Sequence, residues 1–60
     1  MKVKVTLNDG EIIEIDNVVE IEGLNHPYDE SFETIYIWYE RWEKRKIISK
    51  SQIKELNITN

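Results

Sequence analysis

The sequence of 60 residues contains no cysteine, one histidine, one proline and two glycines. Without cysteine, the chain can form neither a disulfide framework nor a thiolate metal site. It also lacks an apolar run long enough for a signal peptide or a membrane span, so we expect a cytoplasmic location and no membrane partner. A chain of this length makes a single domain, residues 1–60, whose stability depends on a packed core or on a dimer partner.

Charge is unevenly distributed along the chain. Residues 1–33 contain nine acidic and two basic side chains, whereas residues 34–60 contain six basic and three acidic ones. The formal net charge is -4. An acidic protein repels phosphate at long range, which disfavours nucleic acid as a partner, although a local basic stripe can still bind it.

Residues 34–40, Thr-Ile-Tyr-Ile-Trp-Tyr-Glu, predict a central strand. The interior of this stretch is entirely β-branched or aromatic and contains neither glycine nor proline. Alternation sends Ile35, Ile37 and Tyr39 to one face of the strand and Tyr36 and Trp38 to the other. Because both faces are largely apolar, one face should lie in the core and the other should be covered or used for binding.

Residues 2–16 predict a hairpin around Asn8-Asp9-Gly10. A two-residue Asp-Gly turn would place Val5 opposite Glu14 and mix core and solvent on one face. A three-residue loop with Gly10 in a left-handed bulge instead pairs Val5 with Ile13 and places Lys4 opposite Glu14. Hydrophobic pattern and charge both favour the three-residue loop.

A third strand is expected over residues 18–23, with Val19 and Ile21 on one side. The irregular stretch that follows contains Pro27, and we expect Tyr28 and Phe32 to fold back as a lid on an open end of the core.

After a turn at residues 41–43, a strand over residues 44–50 should place Ile47 on the Ile35/Ile37 face and Lys44 or Lys46 across from Trp38. The alternative for residues 38–46 is a helix, because Glu40 and Lys44 are four residues apart among good helix formers. Ser51 should then cap one helical turn, and residues 55–59 should form a short last strand with Leu56 or Ile58 inward.

These elements predict an all-β fold, a small, partly open barrel of five to six antiparallel strands with one short helical turn near the C-terminus. The order of Asn-Asp-Gly-Glu, Asn-Val-x-x-Ile-Glu, Ile-Tyr-Ile-Trp-Tyr and Lys-Ser-Gln-Ile-Lys-Glu-Leu-Asn-Ile resembles the small SH3-like barrel proteins of Gram-positive bacteria and their phages. The resemblance implies a fold and a mobile-element origin, and it assigns no catalytic residue. The chain departs from that pattern at Arg41-Trp42, where such proteins carry Asn-Gly or a similar pair.

No enzyme is expected, because the carboxylates fall on outward strand positions and no set of titratable groups in a cleft can be drawn. His26 with Asp29 and Glu30 fits no dedicated metal site, so we expect a loop histidine and neither a metal nor another cofactor.

The segment from residue 36 to residue 46 combines aromatic and basic side chains. Such a cluster suits the anchor of a protein interface and also the stacking of single-stranded nucleic acid. It can equally be a small internal second core with cations resting on the rings. We expect a non-catalytic protein-interaction module, with a host protein or a second copy of the chain as partner, and a small nucleic-acid-binding barrel as the alternative. The candidate binding residues are Tyr36, Trp38, Arg41, Trp42, Lys44, Arg45 and Lys46.

Overall fold

The computed structural model describes residues 1–23 and 33–60. Within these ranges the chain forms six strands and one short 3-10 helix: β1 (Lys2–Leu7), β2 (Ile12–Ile15), β3 (Val18–Glu22), β4 (Thr34–Tyr39), β5 (Lys44–Ser49), η1 (Lys50–Gln52) and β6 (Ile53–Thr59). The strands make two three-stranded antiparallel sheets, a first sheet in the order β2-β1-β6 and a second in the order β3-β4-β5. The predicted all-β class is confirmed, and in the described ranges no strand ladder closes the two sheets into a barrel.

The first hairpin has the register that the three-residue loop predicts. Val5 pairs with Ile13, and Lys4 lies opposite Glu14. Gly10 has a φ of 92°, a left-handed conformation that a residue without a Cβ adopts at no steric cost. The backbone N–H of Leu7 donates to the carbonyl of Glu11 over 2.8 Å and closes the loop. The match of turn chemistry and hydrophobic pattern therefore fixed this register.

The strand prediction for the second hairpin is confirmed, and the helical alternative is wrong. The predicted facing of β5, however, is wrong by one residue. Tyr39 pairs with Lys44 across a four-residue connection, residues 40–43, so Ile35 lies opposite Ile48. Ile48 is buried, whereas Ile47 is 50% exposed on the other side of the sheet. An even number of connecting residues, rather than an odd number, produces this shift.

Strand β3 also departs from simple alternation at its start. The ladder with β4 is irregular between Val18 and Glu20, which marks a bulge. Val18 is buried at 3% exposure, whereas Val19 is 38% exposed. Ile21 packs against the core, so the prediction that Val19 and Ile21 share one side is wrong because of the bulge.

The last segment differs from the prediction in its cap. The 3-10 helix begins after Ser49, which makes no side-chain capping hydrogen bond, and Ser51 lies inside the helix rather than at its cap. The hydroxyl groups of Ser49 and Ser51 are 3.0 Å apart and hydrogen-bonded to each other. In β6, Leu56 packs against the core, whereas Ile58 is 45% exposed.

The core lies between the two sheets and takes side chains from both. In the described ranges its buried members are Val3, Val5, Ile15, Val18, Ile35, Ile37 and Ile48. The sheets are also connected through backbone hydrogen bonds at one end, where the N–H of Val18 donates to the carbonyl of Met1 over 2.9 Å. The predicted lid residues Tyr28 and Phe32 lie outside the described residues.

Candidate functional site

The outer face of the second sheet carries most of the chain's exposed aromatic surface in the described ranges. Tyr36 and Trp38 project from the central strand away from the buried Ile35 and Ile37. Cross-strand partners share a face, so this surface also carries Glu20, Glu22, Arg45 and Ile47. We call this surface, together with Trp42, the aromatic face.

Arg45 contacts two aromatic rings at the centre of the aromatic face. Its guanidinium carbon lies 5.4 Å from the ring centroid of Tyr36 and 5.2 Å from that of Trp38. Both distances are within the range of cation–π attraction. Each exposed contact of this kind contributes about 0.5–1 kcal/mol, so Arg45 restricts both rings. The rings are therefore oriented before any partner arrives.

Trp42 lies over the end of this surface. Its ring centroid is 5.6 Å from that of Trp38 at an interplanar angle of 45°, and 52% of the residue remains exposed. The Nε1 atom of Trp38 is buried and has no hydrogen-bond partner among the described residues. Trp42 thus packs on its own sheet with one part of its ring and offers the rest to solvent.

The backbone that presents Trp42 is strained. Glu40, Arg41 and Trp42 have φ values of 53°, 57° and 73°, which is the left-handed region. Residues other than glycine adopt it at a cost of roughly 1–2 kcal/mol each. The turn closes through the N–H of Glu43, which donates to the carbonyl of Glu40 over 3.0 Å. Strain of this kind persists where the surrounding structure imposes it, and it clusters at binding sites.

Three of the predicted binding residues lie elsewhere. Lys44 and Lys46 pair with Tyr39 and Ile37, so they lie on the side of the second sheet that faces away from Trp38. The sequence had predicted Lys44 or Lys46 across from Trp38. Arg41 lines a depression at the end of the molecule with Asn17 and Val19. The structure therefore brings together Tyr36, Trp38, Trp42 and Arg45 and separates them from the other three cations.

The sequence prediction also missed three residues of the aromatic face. Glu20 lies opposite Trp38, Glu22 lies opposite Tyr36, and Ile47 lies opposite Tyr36 on the other neighbouring strand. Alternation in β3 pointed to the two glutamates as outward residues. The sequence did not show that Ile47 lies on this face, because Ile47 is adjacent to Ile48 and either isoleucine fits an inward position.

The described ranges contain no group of three or more histidine, aspartate or glutamate side chains that could hold a metal ion. The candidate set His26, Asp29 and Glu30 lies outside them. Over the same ranges no helix is long and apolar enough to cross a membrane.

Comparison of the chain with protein-family models, with curated proteins and with solved structures yields no match.

Proposed function

We propose that this protein is a non-catalytic protein-interaction module that docks a protein partner on the aromatic face. The observation that carries the proposal is Trp42, which is half exposed and packs at a tilt against Trp38, the ring that Arg45 covers. Tryptophan, tyrosine and arginine are enriched among the few residues that carry most of the binding energy at protein interfaces. A rigid aromatic anchor binds with a smaller loss of conformational entropy than a free side chain does.

The proposal extends to the fold family and to the partner. Strands β2 and β3 follow each other with two residues between them, and they belong to different sheets. This path, together with the motifs that resemble small proteins of Gram-positive bacteria and their phages, supports an SH3-like barrel. The partner is then a host protein in the cytoplasm or a second copy of the chain.

The arrangement of charges supports a protein partner over nucleic acid. Arg45 already covers the rings of Tyr36 and Trp38, and a stacking base would have to displace it. Glu20 borders the same surface, and its carboxylate repels phosphate. Lys44 and Lys46, which could contact a nucleic-acid backbone, lie on the other side of the sheet.

Affinity capture with a matched pair of variants tests the proposal. Trp42→Ala removes the anchor, and Ile12→Ala removes an equally exposed side chain, 53% against 52%, from the first sheet. The immobilised wild-type protein and both variants would be incubated with a lysate of a Gram-positive bacterium and with the protein itself in solution.

We expect Trp42→Ala to weaken partner capture by about 2 kcal/mol or more, the range of interface anchors, and Ile12→Ala to leave it unchanged. Equal capture by both variants would contradict the proposal. A titration with single-stranded oligonucleotides at low salt, followed by tryptophan emission, tests the alternative. Salt-sensitive binding that depends on Trp42 would favour the nucleic-acid function.

A further inference from the structure

The two edges of the aromatic face carry opposite charge. Glu20 on β3 and Arg45 on β5 both lie opposite Trp38, one on each side of the central strand. All three residues are therefore at the same level along the strand direction. Neighbouring strands are about 4.8 Å apart, so the backbones of Glu20 and Arg45 flank that of Trp38 at nearly equal distances, and the Arg45 guanidinium reaches back over the ring.

We propose that the aromatic face is the interface of a symmetric dimer of two copies of this chain. The inference rests on the proposed function and names its partner. A two-fold axis that lies between the copies and runs along β4 places β3 of each copy over β5 of the other. Glu20 of each copy then faces Arg45 of the other, and Glu22 faces Ile47 of the other. The two Trp38 side chains, each covered by its own Arg45, lie nearest the axis.

The charge pattern of this face is complementary to itself. Each symmetric contact brings one carboxylate to one guanidinium, and the axis produces that contact twice. Arginine–carboxylate pairs at an interface fix the orientation of two copies and disfavour other registers. The rings of Tyr36 and Trp38 would be sealed from water between the two charged edges.

Association through the edge of the second sheet is disfavoured. The exposed edge strand β5 begins with three consecutive cations, Lys44, Arg45 and Lys46. Pairing of two such edges would place two clusters of three cations in one continuous sheet, and charged edge strands are a common protection against this pairing. Face-to-face packing avoids that repulsion because Lys44 and Lys46 point away from the aromatic face.

The surface available suits a dimer of ordinary size. A specific interface takes about 800 Å² from each partner, which is roughly a sixth of the 4548 Å² exposed by this chain. The molecule measures 28 × 26 × 18 Å, so a face with the two longer dimensions has a projected area of about that size. Trp42 and Ile47 are both half exposed at this face, and burial in the dimer would remove their apolar surface from water.

The first experiment measures the wild-type chain. Sedimentation over a concentration range up to about 1 mM should show a monomer–dimer equilibrium. A dissociation constant of 1 mM corresponds to a binding free energy of only about 4 kcal/mol, so a specific dimer should form within this range. Trp38 and Trp42 are the two tryptophans of the sequence, and both lie on the aromatic face. Their emission should therefore shift to shorter wavelength over the same concentrations. A chain that stays monomeric throughout overturns the dimer.

The second experiment uses charge reversal to locate the interface. Glu20→Arg alone and Arg45→Glu alone should each weaken dimerisation by about thirtyfold or more, because like charges then meet twice. An equimolar mixture of the two variants should form a heterodimer with nearly wild-type affinity. As the control, Glu14→Arg reverses a carboxylate on the first sheet and should leave dimerisation unchanged. A mixture that fails to associate, with both variants folded by circular dichroism, overturns the proposed orientation.

Arg45→Glu also removes the cation–π contacts and could unfold the chain. Ile47→Glu avoids that problem, because it adds a carboxylate opposite Glu22 of the other copy and leaves Arg45 in place. It should weaken dimerisation by about tenfold or more. Unchanged dimerisation of a folded Ile47→Glu variant would overturn the interface.

The two proposals fail in different ways. If the wild-type chain is monomeric but captures a lysate protein through Trp42, the interaction module stands and the dimer is wrong. If neither association depends on Trp42, both proposals are wrong.

Discussion

Ile37 is completely buried in the middle of β4, whereas Ile47 on the neighbouring strand exposes half of its side chain. The two residues have the same side chain and the same strand propensity. They differ in strand, since Ile37 is on the central strand and Ile47 on the edge strand, and in the face of the sheet. Ile37 contacts the core between the sheets, and Ile47 lies beside Tyr36 on the aromatic face. They therefore form a matched pair for measuring what burial contributes.

Replacement of Ile37 by alanine should lower the free energy of unfolding by about 2–5 kcal/mol, because it removes buried methyl groups and leaves a cavity. Since small domains are only marginally stable, this loss could unfold the chain. Replacement of Ile47 by alanine should cost less than about 1 kcal/mol in the monomer. Denaturant titration of both variants at low protein concentration measures the difference. A loss below 1 kcal/mol for Ile37→Ala would mean that the centre of the core lies elsewhere.

At the scale of the structural element, the connection from β4 to β5 combines backbone strain with the presentation of Trp42. Three successive residues, from Glu40 to Trp42, have positive φ values, and none of them is glycine. The turn is anchored at its start by the N–H of Glu40, which donates to the carbonyl of Asn17 over 3.2 Å. A turn under strain that also exposes a tryptophan is the kind of local conflict that binding sites display.

Arg41→Gly should stabilise the folded chain by about 1 kcal/mol, because glycine adopts positive φ without the clash at Cβ. Part of the gain is lost to the greater entropy of glycine in the unfolded chain. Glu43→Gly is the control, since Glu43 is in the same turn but has no positive φ, and it should destabilise. Thermal melts of the two variants should thus shift in opposite directions. A lower melting temperature for Arg41→Gly would show that contacts of the Arg41 side chain outweigh the strain.

The two hairpins show what the sequence can and cannot predict about an element. In the first hairpin, Gly10 marks the left-handed position of the loop, and the valines of β1 alternate with lysines, so one register satisfies both signals. In the second hairpin the loop contains no glycine, and Ile47 and Ile48 are adjacent. Its length and therefore its register could not be derived from local preference. The bulge after Val18 could not be predicted either, because Val18 and Val19 are adjacent residues of the same type and either one fits an inward position.

The candidate site depends on that register. The sequence predicted that Tyr36, Trp38 and Trp42 would lie near basic residues, and the structure brings one cation, Arg45, onto the rings. The one-residue shift in β5 places Arg45, instead of its neighbours Lys44 and Lys46, across from Trp38. The residue types thus predicted that aromatic and basic side chains would meet at this surface. Which cation contacts the rings depends on the length of the strained turn, which the sequence did not show.

At the scale of the whole molecule, the two sheets share one core. Val3, Val5 and Ile15 come from the first sheet, and the other buried residues of the described ranges come from the second sheet. Neither sheet can bury its inner face without the other, since a three-stranded sheet needs a packing partner for that face. We therefore expect the chain to unfold in a single cooperative transition.

Val5→Ala, a substitution in the first sheet, tests whether the second sheet unfolds together with the first. Val5 is completely buried in the first sheet, and its two lost methyl groups should reduce stability by at least about 1.5 kcal/mol. Both tryptophans are on the second sheet, so tryptophan emission reports on that sheet, while far-ultraviolet circular dichroism reports on all strands. If the sheets unfold together, the two signals coincide in the wild-type chain, and Val5→Ala lowers both midpoints by the same amount, roughly 6–12 °C for a domain of this size. Ile12→Ala, an exposed substitution on the same sheet, should leave both midpoints in place. A Val5→Ala melt in which circular dichroism changes first and tryptophan emission follows at the wild-type temperature would mean that the second sheet folds alone, and that the aromatic face does not need the first sheet beneath it.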